Sequence, residues 1–502
     1  MRPGSPGIPE PVQHPGHLPY RPGTDAGAVP AGKTRPYKVL SLLALSRSGW
    51  HLHCTTSRVR LVTLVLTMAF ATPLSAAAQD ASSTRAEGAP QQTAGQGTTA
   101  EKPPPPQTTV DATSAERPTG LPSSIKWTFN LDAGWGTFGF ANSLFVNPKD
   151  PGTNEDLSDQ WFEGFVKPAL TGVYATGNSS EVYGKVSVVG ERTYGSVPAA
   201  FGQDVSSFGP EDLYLGWRSG TSLKIGDNAV DLKVGRAPFR LGHGFLLFDG
   251  ASEGGSRGGY WTNARKAFEF AAIATFKPGA HKIETFYLDR DELEENDSGS
   301  RLWGANYEFR TDAEGTTTIG GTYMRWLANP DENPGRDGLN VVNLRAYTSP
   351  IPNARDLSFE FEYASERNSE ALNSDAWMWQ GAYEWSKVSF KPKLSYRFAS
   401  FEGDDPATVT NEAFDPLFLG FYDWGTWWQG EIAGEYFLSN SNLKSHQVRA
   451  HFEPNDSLSG GLMFFKFSFD HPQSVGPEVT ASDVAFELDA YVDWKLLSLI
   501  HI

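Results

Sequence analysis

The sequence predicts an all-β chain, folded as an antiparallel transmembrane β-barrel of about 18 strands. After Ile125, apolar and polar residues alternate along most of the chain, which is the period of strands with one apolar and one polar face. Almost no helical period is present to cover the apolar faces, so lipid is the solvent expected against them. Long and short connections also alternate, as they do in outer-membrane barrels.

The segment Val388–Phe398 illustrates the alternation. Apolar Val388, Phe390, Leu394, Tyr396 and Phe398 face one way, and Ser389, Lys391, Lys393, Ser395 and Arg397 face the other. Pro392 falls on the lipid face and cannot donate to the sheet, so we expect a bend or bulge there.

The connections separate into two classes by length. The long ones are predicted at 136–162, 191–210, 237–264, 289–300, 326–340 and 365–374. This alternation slips after Phe398, and one further strand between Phe414 and Phe421 would restore it.

The N-terminal region predicts export. Residues 58–78 combine Arg58 and Arg60, an apolar run and a small-residue site at Ala76 and Ala78, as in a secretory signal peptide. A short transmembrane anchor is the alternative, but the run is too short. A signal does not act 57 residues into a chain, so we expect residues 1–57 to be a non-native extension.

Further boundaries follow from composition. Residues 79–124 are rich in Ala, Thr, Gln, Gly and Pro and predict a disordered linker. The barrel is predicted over 125–495. Residues 496–502 abandon the alternation and are expected to be a non-native tail, so the natural barrel is expected to continue with at least one closing strand.

Charge and cysteine content exclude several classes. Removing residues 1–78 takes 8 of the 42 Lys and Arg and 2 of the 59 Asp and Glu, which leaves 34 against 57, a formal net charge of −23. Such acidity argues against nucleic acid as a partner. The single cysteine, Cys54, precedes the cleavage site, so the exported chain has no disulfide.

Three segments carry a resemblance to a known family. They are N-E-A-F-D-P-L-F-L-G-F-Y-D-W-G-T-W-W-Q-G-E-I-A-G-E-Y-F-L-S-N-S-N at Asn411–Asn442, V-G-R-A-P-F-R-L-G-H-G-F at Val234–Phe245 and E-L-D-A-Y-V-D-W at Glu487–Trp494. Together they resemble the alginate export family of bacterial outer-membrane barrels, over most of residues 125–495. The resemblance implies a barrel of about eighteen strands and a channel of the kind that passes an acidic polysaccharide outward.

On the strand prediction, the polar face lines a water-filled channel, and its charges select ions by sign. The pore-lining candidates are Arg236, Arg240, Arg345, Lys391, Lys393, Arg397, Arg449, Glu431 and Glu435. The alternative for each of these charges is an ion pair with a neighbouring strand that only stiffens the wall. Glu431 and Glu435 also depart from a purely basic lumen.

A constriction is predicted at Arg236–Arg240 and the glycine-rich loop Gly250–Gly259, with Arg257 and Arg265 nearby. Glycines allow a loop to fold back closely, and guanidinium groups bind carboxylates in a bidentate manner. The alternative is an ordinary external loop.

No catalytic residue, cofactor or metal site is predicted. The histidines that follow the predicted signal peptide lack metal-ligand spacing. Asp289–Asp297 could hold Ca²⁺, but it lacks the glycine and terminal glutamate of an EF-hand, which favours a solvated loop.

The sequence therefore predicts a channel in the bacterial outer membrane that passes a polar or anionic solute, including a saccharide, with membrane lipid around it. The alternative is a non-transport barrel that acts as a surface adhesin or structural anchor. A third class, a soluble secreted β-rich binding protein, would stay in the aqueous phase.

Overall fold

The structure is a computed structural model. It describes residues 48–53, 125–140, 159–176, 179–195, 205–248, 250–252, 254–259, 262, 264–311, 316–330, 333, 335–350, 356–369, 371–418, 429–430, 433 and 438–494.

The described residues form β-strands with almost no helix. The strands are β1 Ser48–His53, β2 Ile125–Phe140, β3 Asp159–Ala175, β4 Glu181–Gly195, β5 Ser206–Arg218, β6 Val230–Pro238, β7 Ala267–Phe276, β8 His281–Asp289, β9 Arg301–Arg310, β10 Thr317–Leu327, β11 Asn340–Thr348, β12 Leu357–Asn368, β13 Leu372–Glu384, β14 Lys393–Phe401, β15 Leu443–Asn455, β16 Leu458–Phe469 and β17 Asp483–Trp494. Three short 3₁₀ helices lie at Gly255–Arg257, Glu294–Asn296 and Pro472–Ser474.

Each strand pairs antiparallel with the next one along the chain, from β1–β2 to β16–β17. The prediction of an all-β antiparallel sheet is confirmed, with sixteen strands between residues 125 and 494 where about eighteen were expected. Within the described residues β17 does not pair with β2, so the barrel is open there.

Strand β1 was not predicted, because it lies in the segment assigned to a non-native extension. It pairs with β2 from Ser48 opposite Trp135 to His53 opposite Asn130. The assignment of residues 1–57 stays a prediction. The predicted signal peptide, linker and tail lie outside the described residues.

The connections define two ends of the sheet. At the "loop end" they are 141–158, 196–205, 239–266, 290–300, 328–339, 369–371, 402–442 and 470–482. At the "turn end" they are 176–180, 219–229, 277–280, 311–316, 349–356, 385–392 and 456–457. Most loop-end connections are long; the exception is the β12–β13 connection, where both strands extend so far that only residues 369–371 join them. The turn-end connections have two to eight residues, except 219–229, which has eleven.

The expected strand Val388–Phe398 was wrong at its start. The strand begins at Lys393, because residues 386–391 form the turn from β13 and Phe390 and Lys391 have positive φ angles of 68° and 35°. Pro392 therefore precedes the strand and removes no hydrogen bond from it. The additional strand expected between Phe414 and Phe421 falls partly outside the described residues, and its described part, 414–418, is not in a strand.

Apolar side chains fill the inward side of the sheet near the loop end. Connections β6–β7 and β14–β15 contribute Phe245 and Phe418 to this cluster, which packs on inward residues of many strands. Ring centroids lie 5.8 Å apart for Phe245 and Phe401, and 6.0 Å apart for Phe268 and Phe418. These two connections thus fold inward onto the sheet.

Candidate functional site

In a water-soluble β-protein the outward face of a sheet is polar and the inward face is apolar. This sheet shows the reverse. Leu344 is 51% exposed, whereas the next residue, Arg345, is 2% exposed. On β12 the same contrast holds between Phe361, at 42%, and Glu362, at 2%. The outward face is thus apolar and open, and the inward face carries buried charges. The candidate site is this inward face together with the connections that enter it.

Three glutamates on adjacent strands hold the β6–β7 connection against the sheet. Glu163 of β3 accepts a hydrogen bond from the N–H of Thr262 at 2.9 Å, and Glu191 of β4 accepts one from Ala264 at 2.8 Å. Glu211 of β5 accepts from two successive N–H groups, those of residues 266 and 267, at 2.7 and 3.1 Å. The carboxylates supply the acceptors that an inward-folded loop would otherwise lack.

A glycine and an arginine also hold the β6–β7 connection against the sheet. Gly258 has φ +93°, and a Cβ there would lie 2.8 Å from the carbonyl oxygen of Val205, so a larger residue would not fit. Arg265 donates from Nε to Glu191 at 2.9 Å. Its charge therefore compensates a buried carboxylate.

The aspartate at the start of the β8–β9 connection joins two of the predicted arginines. Asp291 pairs with Arg236, and its Oδ1 lies 3.3 Å from Nη2 of Arg257. The Nε of Arg257 also donates to the carbonyl of Ser252 at 2.9 Å. Arg236 and Arg257 thus hold the loop together, and Asp291, from the segment considered for Ca²⁺, is their counter-charge.

The other end of the β6–β7 connection reaches the opposite part of the sheet. The imidazole of His243 stacks on Tyr347 of β11, with ring centroids 3.9 Å apart, and its Nδ1 lies 3.3 Å from Glu360 Oε2. Tyr347 in turn donates to Glu362. One connection therefore contacts β3, β4 and β5 as well as β11 and β12, so the sheet curls around it.

Arg345 is the centre of a buried polar network. It pairs with Glu308 of β9 at 2.9 Å and donates to Thr322 and Asn343, each at 2.9 Å. It also donates to Asn306. Its guanidinium is surrounded by protein groups, and it lies in the wall that the inward loops cover.

A row of basic side chains follows β14 and β15 toward the turn end. Lys393 lies opposite His451, and Arg449 lies opposite Ser395 in the register. Arg449 donates from Nε to the hydroxyl of Tyr491 at 2.8 Å, and Arg397 is 3% exposed. Lys391, predicted on the same strand, lies in the turn instead, where its Nζ is 3.4 Å from Glu453 Oε2.

The remaining predicted site residues divide as follows. Arg240 is exposed on the β6–β7 connection. Glu431 and Glu435 lie outside the described residues. Next to them, the N–H of Ala433 donates to Glu487 of β17 at 2.7 Å, so another acidic wall residue anchors a connection.

Two functional features were missed from the sequence. Glu163 and Glu211 directly follow the predicted connections 136–162 and 191–210, and Glu191 falls inside the second of them, so neither the inward orientation of these glutamates nor their loop partners were predicted. The ion pair of Arg336 and Asp415, with Nε–Oδ2 at 2.6 Å, joins two connections that are 79 residues apart and carries no local signal.

No group of three or more potential metal-ligating side chains occurs within the part of the chain that the structure describes. Over the same residues, no helix is long and apolar enough to cross a membrane.

Comparisons with known proteins return structures but no sequence relatives. No family model matches the chain, and no curated protein matches it. Among solved structures, two mutants of the porin from Rhodopseudomonas blastica are similar at 11% and 10% identity. Each alignment covers 74% of this chain and 100% of the porin, with a TM-score of 0.37. A score this low carries no argument about the fold or function of this chain.

Proposed function

We propose that this chain is an outer-membrane channel of the alginate-export type, which passes a polar or anionic solute, including a saccharide. The observation that carries the proposal is the inverted polarity of the sheet. Side chains such as Phe359, Leu344 and Trp379 are about 40 to 50% exposed on the outward face. An apolar surface of this extent is stable against acyl chains and unfavourable in water.

Strand number and connections support the same proposal. Within the described residues sixteen strands follow one another from β2 to β17, and β1 adds a seventeenth to the sheet, a number within the range of about 8 to 26 strands found in outer-membrane barrels. Long connections on one side and short ones on the other are typical of outer-membrane barrels. Export through the signal peptide at 58–78 belongs to the same proposal.

The proposal of an anionic solute rests on the charges of the inward face. Lys393, Arg397 and Arg449 follow the inward face of two adjacent strands, β14 and β15, and Arg449 lies opposite Met463 of the apolar cluster. Basic rings favour anions and would attract carboxylates of an acidic saccharide. The resemblance of three segments to the alginate export family points to the same solute class.

One observation favours the second candidate, a non-transport barrel that serves as adhesin or anchor. Fully buried Phe245, Phe401 and Phe418 belong to a continuous apolar cluster inside the loop end. If this cluster never opens, solutes cannot pass, and the long connections present a surface to partners instead.

Liposome swelling distinguishes the two candidates. The full chain is reconstituted into liposomes, insertion is verified by flotation, and entry of neutral and acidic monosaccharides is followed by light scattering. Swelling with both, and faster entry of the acidic sugar than of a neutral sugar of similar size, supports the proposed channel. Floated liposomes that do not swell favour the adhesin or anchor. A chain that remains in the aqueous fraction contradicts both.

A further inference from the structure

An apolar groove runs along the outward face of β5 to β8. Its floor is formed by Ala272 and Ala274 of β7 and Thr285 of β8, and its walls by Leu215, Leu232 and Val234 of the neighbouring strands. The cavity volume is about 550 Å³. The wall residues are large and about half exposed, whereas the floor residues are small, so the groove is a consequence of side-chain size on a continuous sheet.

The outward face as a whole determines what can fill this groove. On the proposed function it contacts acyl chains, and a flexible chain of methylene groups is the apolar molecule that can lie in a narrow groove there. An acyl chain in the groove contacts the wall residues of β5 and β6 as well as the floor residues of β7 and β8, instead of one flat surface. Burial of more methylene groups stabilises one lipid at this position over its neighbours.

Two lysines lie beside the turn end of the groove. Lys224 is in the β5–β6 turn and Lys277 follows β7, and both are exposed. The two turns touch, because the N–H of Lys277 donates to the carbonyl of Ala229 at 2.7 Å and a Cβ at Gly226 would lie 3.7 Å from the oxygen of Lys277. The two exposed lysines thus lie in adjoining turns, and Asp227 lies in the same turn as Lys224.

We propose that the groove on β5–β8 is a binding site for one anionic glycerophospholipid, with an acyl chain between Leu232 and Thr285 and the phosphate on Lys224 and Lys277. This inference rests on the proposed function for the lipid contact of the outward face, and it adds a specific ligand. Short turns of outer-membrane barrels face the periplasm, where the leaflet is built of glycerophospholipids. Charge attraction by two lysines selects the anionic ones.

Native mass spectrometry of the full chain in detergent tests the site, with palmitoyl-oleoyl phosphatidylglycerol added in steps. We expect one lipid to remain bound at activation energies that remove the others. Ala274→Leu fills the groove and should weaken this binding roughly tenfold, as expected for about two buried methylene groups lost. The control is Ala450→Leu, an outward alanine of β15 between Leu394 and Leu462, which should leave binding unchanged.

A second pair of variants tests the headgroup without touching a strand. Lys224→Gln combined with Lys277→Gln should weaken phosphatidylglycerol binding about thirtyfold, at about 1 kcal/mol per lysine near the surface, and leave phosphatidylcholine binding unchanged. Lys387→Gln, in the β13–β14 turn, is the matched control.

Equal retention of phosphatidylglycerol by the wild type, A274L and the double lysine variant would overturn the inference. If the same preparations still float with liposomes and make them swell, the proposed channel function stands without the lipid site. If the chain does not enter membranes at all, the channel proposal fails and this site fails with it.

Discussion

Arg336 and Asp415 form a bidentate ion pair between two loops at the loop end, with Nε–Oδ2 and Nη2–Oδ1 both at 2.6 Å. Arg336 belongs to the β10–β11 connection and Asp415 to the β14–β15 connection. The N–H of Asp415 also donates to Glu366 of β12 at 2.9 Å. These contacts fix the β14–β15 connection over the inward face.

The same pair positions an aromatic side chain in the apolar cluster. The guanidinium carbon of Arg336 lies 5.5 Å from the ring centroid of Phe418, and that of Arg290 lies 4.2 Å from it. Trp326 packs edge-on against Phe418 with centroids 4.6 Å apart. Phe418 therefore packs against two cations and the rings of Trp326 and Phe268.

Replacing Arg336 by glutamine should destabilise the protein strongly. Asp415 would remain buried without its partner, which costs about 3 to 5 kcal/mol. The measurement is the free energy of unfolding in guanidinium chloride, followed in lipid micelles by tryptophan fluorescence. Arg367→Gln is the control, because Arg367 pairs with Asp375 at an exposed site and should contribute less than about 1 kcal/mol. Equal losses from both variants would contradict the role given to Arg336.

Acid should weaken the Arg336–Asp415 pair only at low pH. Burial alone would raise the pKa of Asp415. The Arg336 guanidinium and a hydrogen bond from the Leu417 N–H outweigh burial, so the pKa in the folded state is lowered from its ordinary value of 3.8. A carboxyl whose pKa is lowered by folding stabilises the folded state at pH values above its unfolded pKa. That contribution is lost as the pH falls through the folded pKa. The difference in unfolding free energy between wild type and Asp415→Asn should be constant from pH 8 to 5 and shrink below about pH 4. A difference that already disappears at pH 6 would be inconsistent with this pair.

Neutralising the basic row should change ion selectivity. With Lys393→Gln and Arg449→Gln combined, the reversal potential in a KCl gradient should move toward that of a cation-selective pore, because two positive charges leave the inward face that lines the proposed channel. Lys466→Gln is the control, since Lys466 is opposite the outward Phe486 and about half exposed. An unchanged reversal potential would remove β14 and β15 from the conduction path.

A charge on the outward face should impair membrane assembly. Leu344→Arg introduces a cation where the strand faces lipid, at a cost of about 2 to 4 kcal/mol near the bilayer centre. Val409→Arg is the control, because Val409 is fully exposed in a loop-end connection. The fraction of protein that resists heat denaturation in SDS gels should fall for L344R and stay at the wild-type level for V409R. If both variants assemble equally well, the outward face does not contact lipid.

The strands could be predicted from sequence wherever the alternation is regular. Trp303, Ala305 and Tyr307 face outward on β9 as expected, because one residue in two meets each face. The start of β14 could not be predicted, because alternation continues through Phe390 and Lys391, although positive φ angles place both in a turn.

The inward connections were only partly predictable. The glycines and arginines of 236–265 indicated a loop that folds back, since such residues permit close approach and seek carboxylates. Which carboxylates they meet depends on the curl of the sheet: Glu191 and Arg265 are 74 residues apart in sequence. A contact of this kind cannot be predicted from the alternation of apolar and polar residues in either segment.

Single-channel recording in planar lipid bilayers tests the central claim most directly. The full chain, purified and added to one side of the bilayer, should produce discrete conductance steps, and Phe418→Ala should increase the time spent open because the apolar cluster at the loop end loses its central ring. A silent bilayer, with insertion of the same preparation verified by flotation and protease protection, would contradict the claim that this sheet encloses a water-filled path.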